Sequence, residues 1–401
     1  MAFIVQPTTK PITPPATLTS PRFTLLASGN SGARVFDIDP VRREVTYGVL
    51  AGASTGTSTA QLVSSTDGML TGTRIYDFAA ATGQATIAIS YARILPNGEM
   101  IVSLKDMYGS AGGLYLSSGF PTDPKLATWR MTQAYSNTAN YTPPYALDWA
   151  PKGHVREGLV VACEYGPQSV EGTTSVEKGA SRAWVSLDYG KTWREVFNLL
   201  KTYGTRNMHM HGICYDAFTD RLVICFGDGY AGGAARSGIL YSDDWMEAAP
   251  TWRPIVEPKP SATWQATLIR AFPSGLIVGS DGPPDGIWVI PRTPGGYAPP
   301  VSVWINPRTS GIGQCLYQAS PNQVGLIVFS NGESFTDPVR VLMVSPDGTS
   351  IDEVYIDTQL APVWGGAYTV TGPDKFGYVY LTTNDGRSSA TLTRLLLTYN
   401  T

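Results

Sequence analysis

Trp184-Val-Ser-Leu-Asp-Tyr-Gly-Lys-Thr-Trp193 is the stretch from which the rest of the chain is read. Residues 183–187 alternate like a half-buried strand, and residues 193–197 begin another. Between them Ser186, Asp188, Gly190 and Thr192 fill a tight connection. A short Asp side chain there accepts bonds from turn N–H groups, and Gly190 can take a positive φ. Trp193 opens the following strand as a large apolar anchor. The segment is a strand, a turn built by its own side chains, and a second strand.

Outward from this hairpin a larger unit recurs. Its clearest mark is an apolar strand that ends in an acidic or amide residue, usually beside glycine. Met100–Asp106, Leu159–Gly166, Leu222–Gly229, Leu276–Gly282, Leu326–Gly332 and Tyr378–Gly386 all fit, with Val45–Leu50 as a weaker first copy. From Met100 onward the starts lie 59, 63, 54, 50 and 52 residues apart. Each copy follows another strand and a polar turn, and is followed by a third strand and then a fourth that often opens on an aromatic residue. Four antiparallel strands per ~50 residues, repeated seven times, predict a closed ring of blades that cover one another's faces. The last unit is one strand short, and Phe23–Ser28 is a surplus strand ahead of the first. The expectation is therefore that Phe23–Ser28 supplies the outer strand of the last blade. Residues 1–21, rich in Pro and Thr, read as an extended arm, and residues 22–401 as one propeller domain. A six-bladed ring and a two-sheet sandwich are the alternative architectures.

The spacing Ser-x-Asp-x-Gly-x-Thr-Trp over Ser186, Asp188, Gly190, Thr192 and Trp193 resembles the Asp-box (bacterial neuraminidase) repeat of sialidase-like β-propellers. Ser65/Asp67, Ser242/Asp244 and Ser345/Asp347 look like partial copies that keep Ser-x-Asp and lose the Gly or Trp register. In that family the box is a structural hairpin remote from the ligand face, so the resemblance implies a fold. His209–Gly229 resembles a segment of sialidase-like propellers from bacteria and their phages.

Composition excludes several classes. The formal charge is −3 with no basic run, which argues against a nucleic-acid partner. No stretch has the ~18–20 apolar residues that span a bilayer, and the first residues lack a signal-peptide core. Cys163, Cys214, Cys225 and Cys315 sit in apolar strand-like runs and read as buried free thiols, with a Cys214–Cys225 bridge as the alternative.

Propeller topology brings the ends of the second strands to one mouth. The candidate ligand face comprises Asp106, Glu164, Tyr165, His209, His211, Asp228, Trp264, Asp281 and Asn331, with Asn384 beside it. Paired carboxylates are what glycosyl transfer needs, so a hydrolase would use Glu164, Asp228 and Asp281. The competing reading is that such residues cap turns where strands end. Sialidases clamp the substrate carboxylate with three arginines. Here Tyr91-Ala-Arg-Ile-Leu-Pro96 only approximates their early motif, while Arg182, Arg270 and Arg292 show no triad spacing. An acidic mouth would repel sialic acid. His209 and His211 point the same way on a strand, but three His in the chain and no ligand-spaced Cys favour a hydrogen-bonding role, for instance with Asp228. No cofactor is expected; Ca²⁺ held by Asp and Asn oxygens is the exception considered.

The expected function is a non-enzymatic phage tail component that contacts host-surface glycan. It would be assembled in the host cytoplasm into a virion, as an oligomer, with the arm docking other virion proteins. A glycoside hydrolase and a cytoplasmic scaffold propeller are the alternatives.

Overall fold

Because both faces of most strands must be covered, the apolar runs are unbroken rather than alternating. A computed structural model describes residues 21–29, 33–49, 60–106, 111–136, 142–143, 146–165, 181–203, 208–227, 236–260, 265–280, 286–305, 312–317, 325–330, 339–357, 367–384 and 390–399. Their strands form seven four-stranded antiparallel sheets and one two-stranded ribbon. The chain is an all-β propeller, with seven blades. His209–Asp216 and Arg221–Gly227, the two inner strands of the fourth blade, are buried at every position. By contrast Thr128–Ala134, an outer strand, has no fully buried position. Among the described residues no helix is long and apolar enough to cross a membrane.

The blades follow chain order, with inner strands at Arg34–Ile38, Ile87–Ile94, Leu147–Trp149, His209–Asp216, Ala266–Phe272, Ile312–Tyr317 and Ala367–Thr371. Six blades are simple meanders. The seventh is composite: Ala367–Thr371, Tyr378–Asn384 and Ala390–Tyr399 are completed by Pro21–Gly29, which pairs Phe23 with Leu397 and Pro21 with Tyr399. This blade packs against the first. The Thr371 hydroxyl donates to the Phe36 carbonyl at 3.3 Å, Arg43 donates to the Pro373 carbonyl at 2.7 Å, and Tyr380 enters a cluster with Val35, Val63 and Met69. Residues 1–20 lie outside the described residues.

Inner strands share an irregularity. The register skips one residue at Phe36, Ser90, His211, Thr267 and Tyr368, each near the start of its strand. Such bulges sharpen the local twist and re-aim the extra residue.

The hairpin of the third blade forms as its sequence implies. The Ser186 hydroxyl donates to Asp188 at 2.8 Å and accepts from the Gly190 N–H at 2.7 Å. Asp188 also accepts from the Lys191 and Thr192 N–H groups and from the Thr192 hydroxyl. Gly190 takes φ 82°, which L side chains rarely adopt. Trp193 reaches across to the second blade, where its Nε1 donates to the Thr132 hydroxyl at 3.0 Å.

The partial copies are more complete than their sequences suggest. In the first blade Met69 stands where glycine is expected, yet takes φ 68° and donates its N–H to the Ser65 hydroxyl at 2.9 Å. Asp67 accepts from both the N–H and the hydroxyl of Thr71. In the fourth blade three inserted residues separate the halves. Asp244 accepts from the Thr251 N–H at 2.8 Å, and Trp252 donates to the Val196 carbonyl of the third blade as Trp193 does to the second. In the second blade Ser117 meets Glu99, from the first hairpin of that blade, and Glu99 accepts from the Gly119 N–H in the Asp role.

Removing residues 1–29 is expected to strip one strand's pairing and lower the melting temperature clearly, while removing residues 1–20 is not. Equal melting of the two truncations would contradict the composite blade. Asp188→Ala is expected to cost on the order of 1–2 kcal/mol, as other lost turn and cap bonds do. Burial pushes the Asp67 and Asp188 carboxyls up, but their donors outweigh it, holding Asp67 at about 2 and Asp188 below the usual range. The folded chain therefore favours the ionised forms. That stability is complete above the unfolded Asp value of about 4. It drains away as pH falls toward 2. Asp67→Asn is expected to flatten the acid limb of a stability-versus-pH curve; an unchanged limb would contradict this assignment.

Candidate functional site

Two of the mouth carboxylates are held from all sides. Asp106 closes its strand fully buried, and it accepts from the Thr86 hydroxyl and from the Ala111 N–H, both at 3.0 Å. It thus ties the connection after its own strand to the one entering the blade. Glu164 is also fully buried. It accepts from the Ser136 N–H at 2.9 Å, the Ser136 hydroxyl at 2.7 Å and Arg182 Nε at 2.7 Å. Arg182 also donates to the Ala134 carbonyl and lies over the Trp184 ring. Glu164 therefore joins the second blade to the third. A catalytic carboxylate must reach its substrate, and this one is enclosed by donors of its own chain.

Beside Glu164, Tyr165 gathers the two histidines. Its ring lies 4.0 Å from that of His209 and 6.1 Å from that of His211, and the two imidazoles are 5.1 Å apart. Both imidazoles are buried, while Tyr165 is half-buried and is the member of the trio that solvent reaches. His211 is the extra residue of the fourth blade's bulge, and its Nδ1 is 2.8 Å from the Ala266 carbonyl. Since a carbonyl only accepts, this nitrogen carries the proton. Among the described residues no three His, Cys, Asp or Glu side chains are grouped to hold a metal ion.

Asp228, Trp264, Asp281 and Asn331 lie outside the described residues, as does any Asp228–histidine bond. Asn384 ends its strand, but its side chain is not described. Cys163, Cys214 and Cys225 are buried free thiols. On the fourth blade Cys214 stands opposite Val223 and Cys225 opposite Gly212, a register that separates the two.

Arg182, Arg270 and Arg292 do not converge. Arg182 is engaged by Glu164 at the mouth. Arg292 forms two bonds to Asp216, at 2.7 and 2.8 Å, beside the first hairpin of the fourth blade and thus at the opposite end of the ring. Arg93 and Arg270 belong to a buried network at the ring's centre that sequence reading missed. Arg93 pairs with Asp37 at 3.3 Å, donates to the Tyr91 hydroxyl at 2.9 Å and lies over the Trp149 ring at 4.7 Å. Arg270 donates to the Leu147 carbonyl at 2.8 Å and to that of Ile269 at 3.1 Å.

Asp37 and Asp148 play one role in two places. Each sits on an inner strand and accepts a backbone N–H from the inner strand of the next blade, Ile94 at 2.8 Å and Tyr215 at 3.0 Å. Burial pushes both carboxyls up, against the pull of Arg93 on one and Arg270 on the other. Their only sequence signal is a lone Asp between apolar neighbours, Phe36-Asp37-Ile38 and Leu147-Asp148-Trp149.

Removing one partner of a buried ion pair leaves an uncompensated charge, so Arg93→Met is expected to cost on the order of 3–5 kcal/mol. Adding Asp37→Leu should return part of that loss in denaturant melts. A double variant as damaged as the sum of the singles would contradict the pairing.

No family model matches the sequence, and no curated protein matches it. Among solved structures, prolyl oligopeptidase B from Galerina marginata aligns with a TM-score of 0.53 and 10% identity, over 90% of this chain and 47% of that one. Trypanosoma rangeli sialidase in complex with 2,3-difluorosialic acid aligns with a TM-score of 0.46 and 12% identity, over 77% and 55%. The chain spans about half the length of these structures. At such identity the likeness to the peptidase is one of fold alone.

Proposed function

We propose that this chain is a non-enzymatic recognition propeller whose mouth contacts glycan. The observation that carries this reading is the contrast at the mouth itself. Asp106 and Glu164 are buried and engaged in joining loops and blades, whereas Tyr165 presents a ring backed by two imidazoles. An amphipathic aromatic surface flanked by a few placed polar groups suits the alternating C–H and O–H faces of a sugar. The similarity in fold to a sialidase and a peptidase adds no chemistry to this chain.

The finer reading is a phage tail component assembled in the host cytoplasm, oligomeric, and docked to other virion proteins through residues 1–20. It is supported by the Pro/Thr-rich segment ahead of the first strand and by a chain in which only 15% of residues are charged.

The test is glycan-array binding together with reducing-sugar release on one full-length sample. Tyr165→Ala is expected to weaken binding about tenfold, as loss of an aromatic contact does. Asp228→Asn and Asp281→Asn are expected to leave it unchanged, with no sugar released by any form. An array without signal would overturn the glycan reading. Sugar released by the wild type and lost in Asp228→Asn would replace it with a hydrolase, since the amide cannot move a proton.

A further inference from the structure

A cleft of about 440 Å³ opens between the third and fourth blades, beside the short helix Leu199–Tyr203. Tyr203, Trp252, Pro254 and Pro258 line it above the buried Phe197 and Leu240, with Glu257 exposed at its edge. The lining is held by contacts among its rings and with their neighbours. Phe197 meets Trp252 edge-on at 5.2 Å, Tyr203 packs on Phe226, and Trp252 is fixed through its Nε1 bond to Val196. Flat rings and prolines along a groove suit a polyproline II segment, which arrives already extended and so loses little entropy on docking.

This chain carries such a segment. Pro7-Thr-Thr-Lys-Pro-Ile-Thr-Pro-Pro15 has Pro11 and Pro14 three residues apart, one turn of polyproline II, so in that conformation both would share one face. Lys10 immediately precedes that face and matches Glu257 in charge. We infer that residues 7–15 of one copy dock in the groove between the third and fourth blades of a second copy. The inference rests on reading residues 1–20 as a docking segment, and is independent of what the mouth binds.

Geometry selects the second copy. Pro21 lies on the outer strand of the seventh blade, and in a ring of seven this blade is opposite the junction of the third and fourth. The six residues from Pro15 to Pro21 reach at most about 20 Å when fully extended. Three blades lie between in either direction, and packed sheets are about 10 Å apart even before the ring widens toward its rim. A segment leaving the seventh blade therefore meets this groove on a neighbouring molecule, and exchange of segments links copies.

Sedimentation of the full chain over a range of concentrations tests the inference. Wild type is expected to self-associate, and Pro11→Ala with Pro14→Ala to leave monomer. Glu257→Lys, at an exposed position, is expected to weaken association about tenfold, and adding Lys10→Glu to restore it. Loss in the proline variant with indifference to Glu257→Lys would keep the docking segment but remove it from this groove, overturning the inference. Indifference to both would overturn the docking reading as well. A chain that stays monomeric throughout would exclude a second copy as the partner.

Discussion

Each blade of this ring has two apolar faces, and a four-stranded sheet cannot cover either of them itself. Burial is complete only when both neighbours are in place, and the two strands of the fourth blade nearest the axis are then buried at every position. The rest of the molecule follows from that requirement. Among the described residues several polar side chains join blades, and Glu164 is one that a reader of the sequence would reserve for a site. Asp37 and Asp148 reach the next inner strand, Trp193 and Trp252 reach the preceding outer strand, and Glu164 ties the second blade to the third.

This explains which parts of the structure were legible. Leu222–Gly227 and its counterparts announced themselves because burial on both faces imposes continuous hydrophobicity, and the turn chemistry after each of them gave the period. The box at Ser186–Trp193 was legible because every position was filled by the residue that does the job best. Its relatives were under-read for a physical reason. Most of the box's bonds are donated by backbone N–H groups to side-chain oxygens, and any residue except proline supplies an N–H. Met69 can therefore stand in for glycine, Glu99 can arrive from another hairpin, and three residues can be inserted before Thr251 without losing the arrangement.

Two of the candidate carboxylates show how far a sequence period reaches. Asp106 and Glu164 do lie where their strands end, as the periodicity implied. Whether a carboxylate there is available depends on donors such as Ser136, which belongs to the neighbouring blade and has no local relation to Glu164 in sequence. The central network was invisible for the same reason. One Asp in an apolar run looks alike whether it faces water, a turn or an arginine from elsewhere in the ring. Arg270 donates to a carbonyl two blades away.

The composite seventh blade sets an order of events during synthesis. Phe23 pairs with Leu397, so its partner strand leaves the ribosome only after the other six blades have been made. Until then the first blade has one uncovered face, and the strand at 21–29 has no sheet to join. Contacts of such long sequence separation fold slowly, because the chain must be brought together before the pairing is rewarded. The growing ring is thus an open spiral with two apolar ends, and its closure is the step most exposed to association between nascent chains.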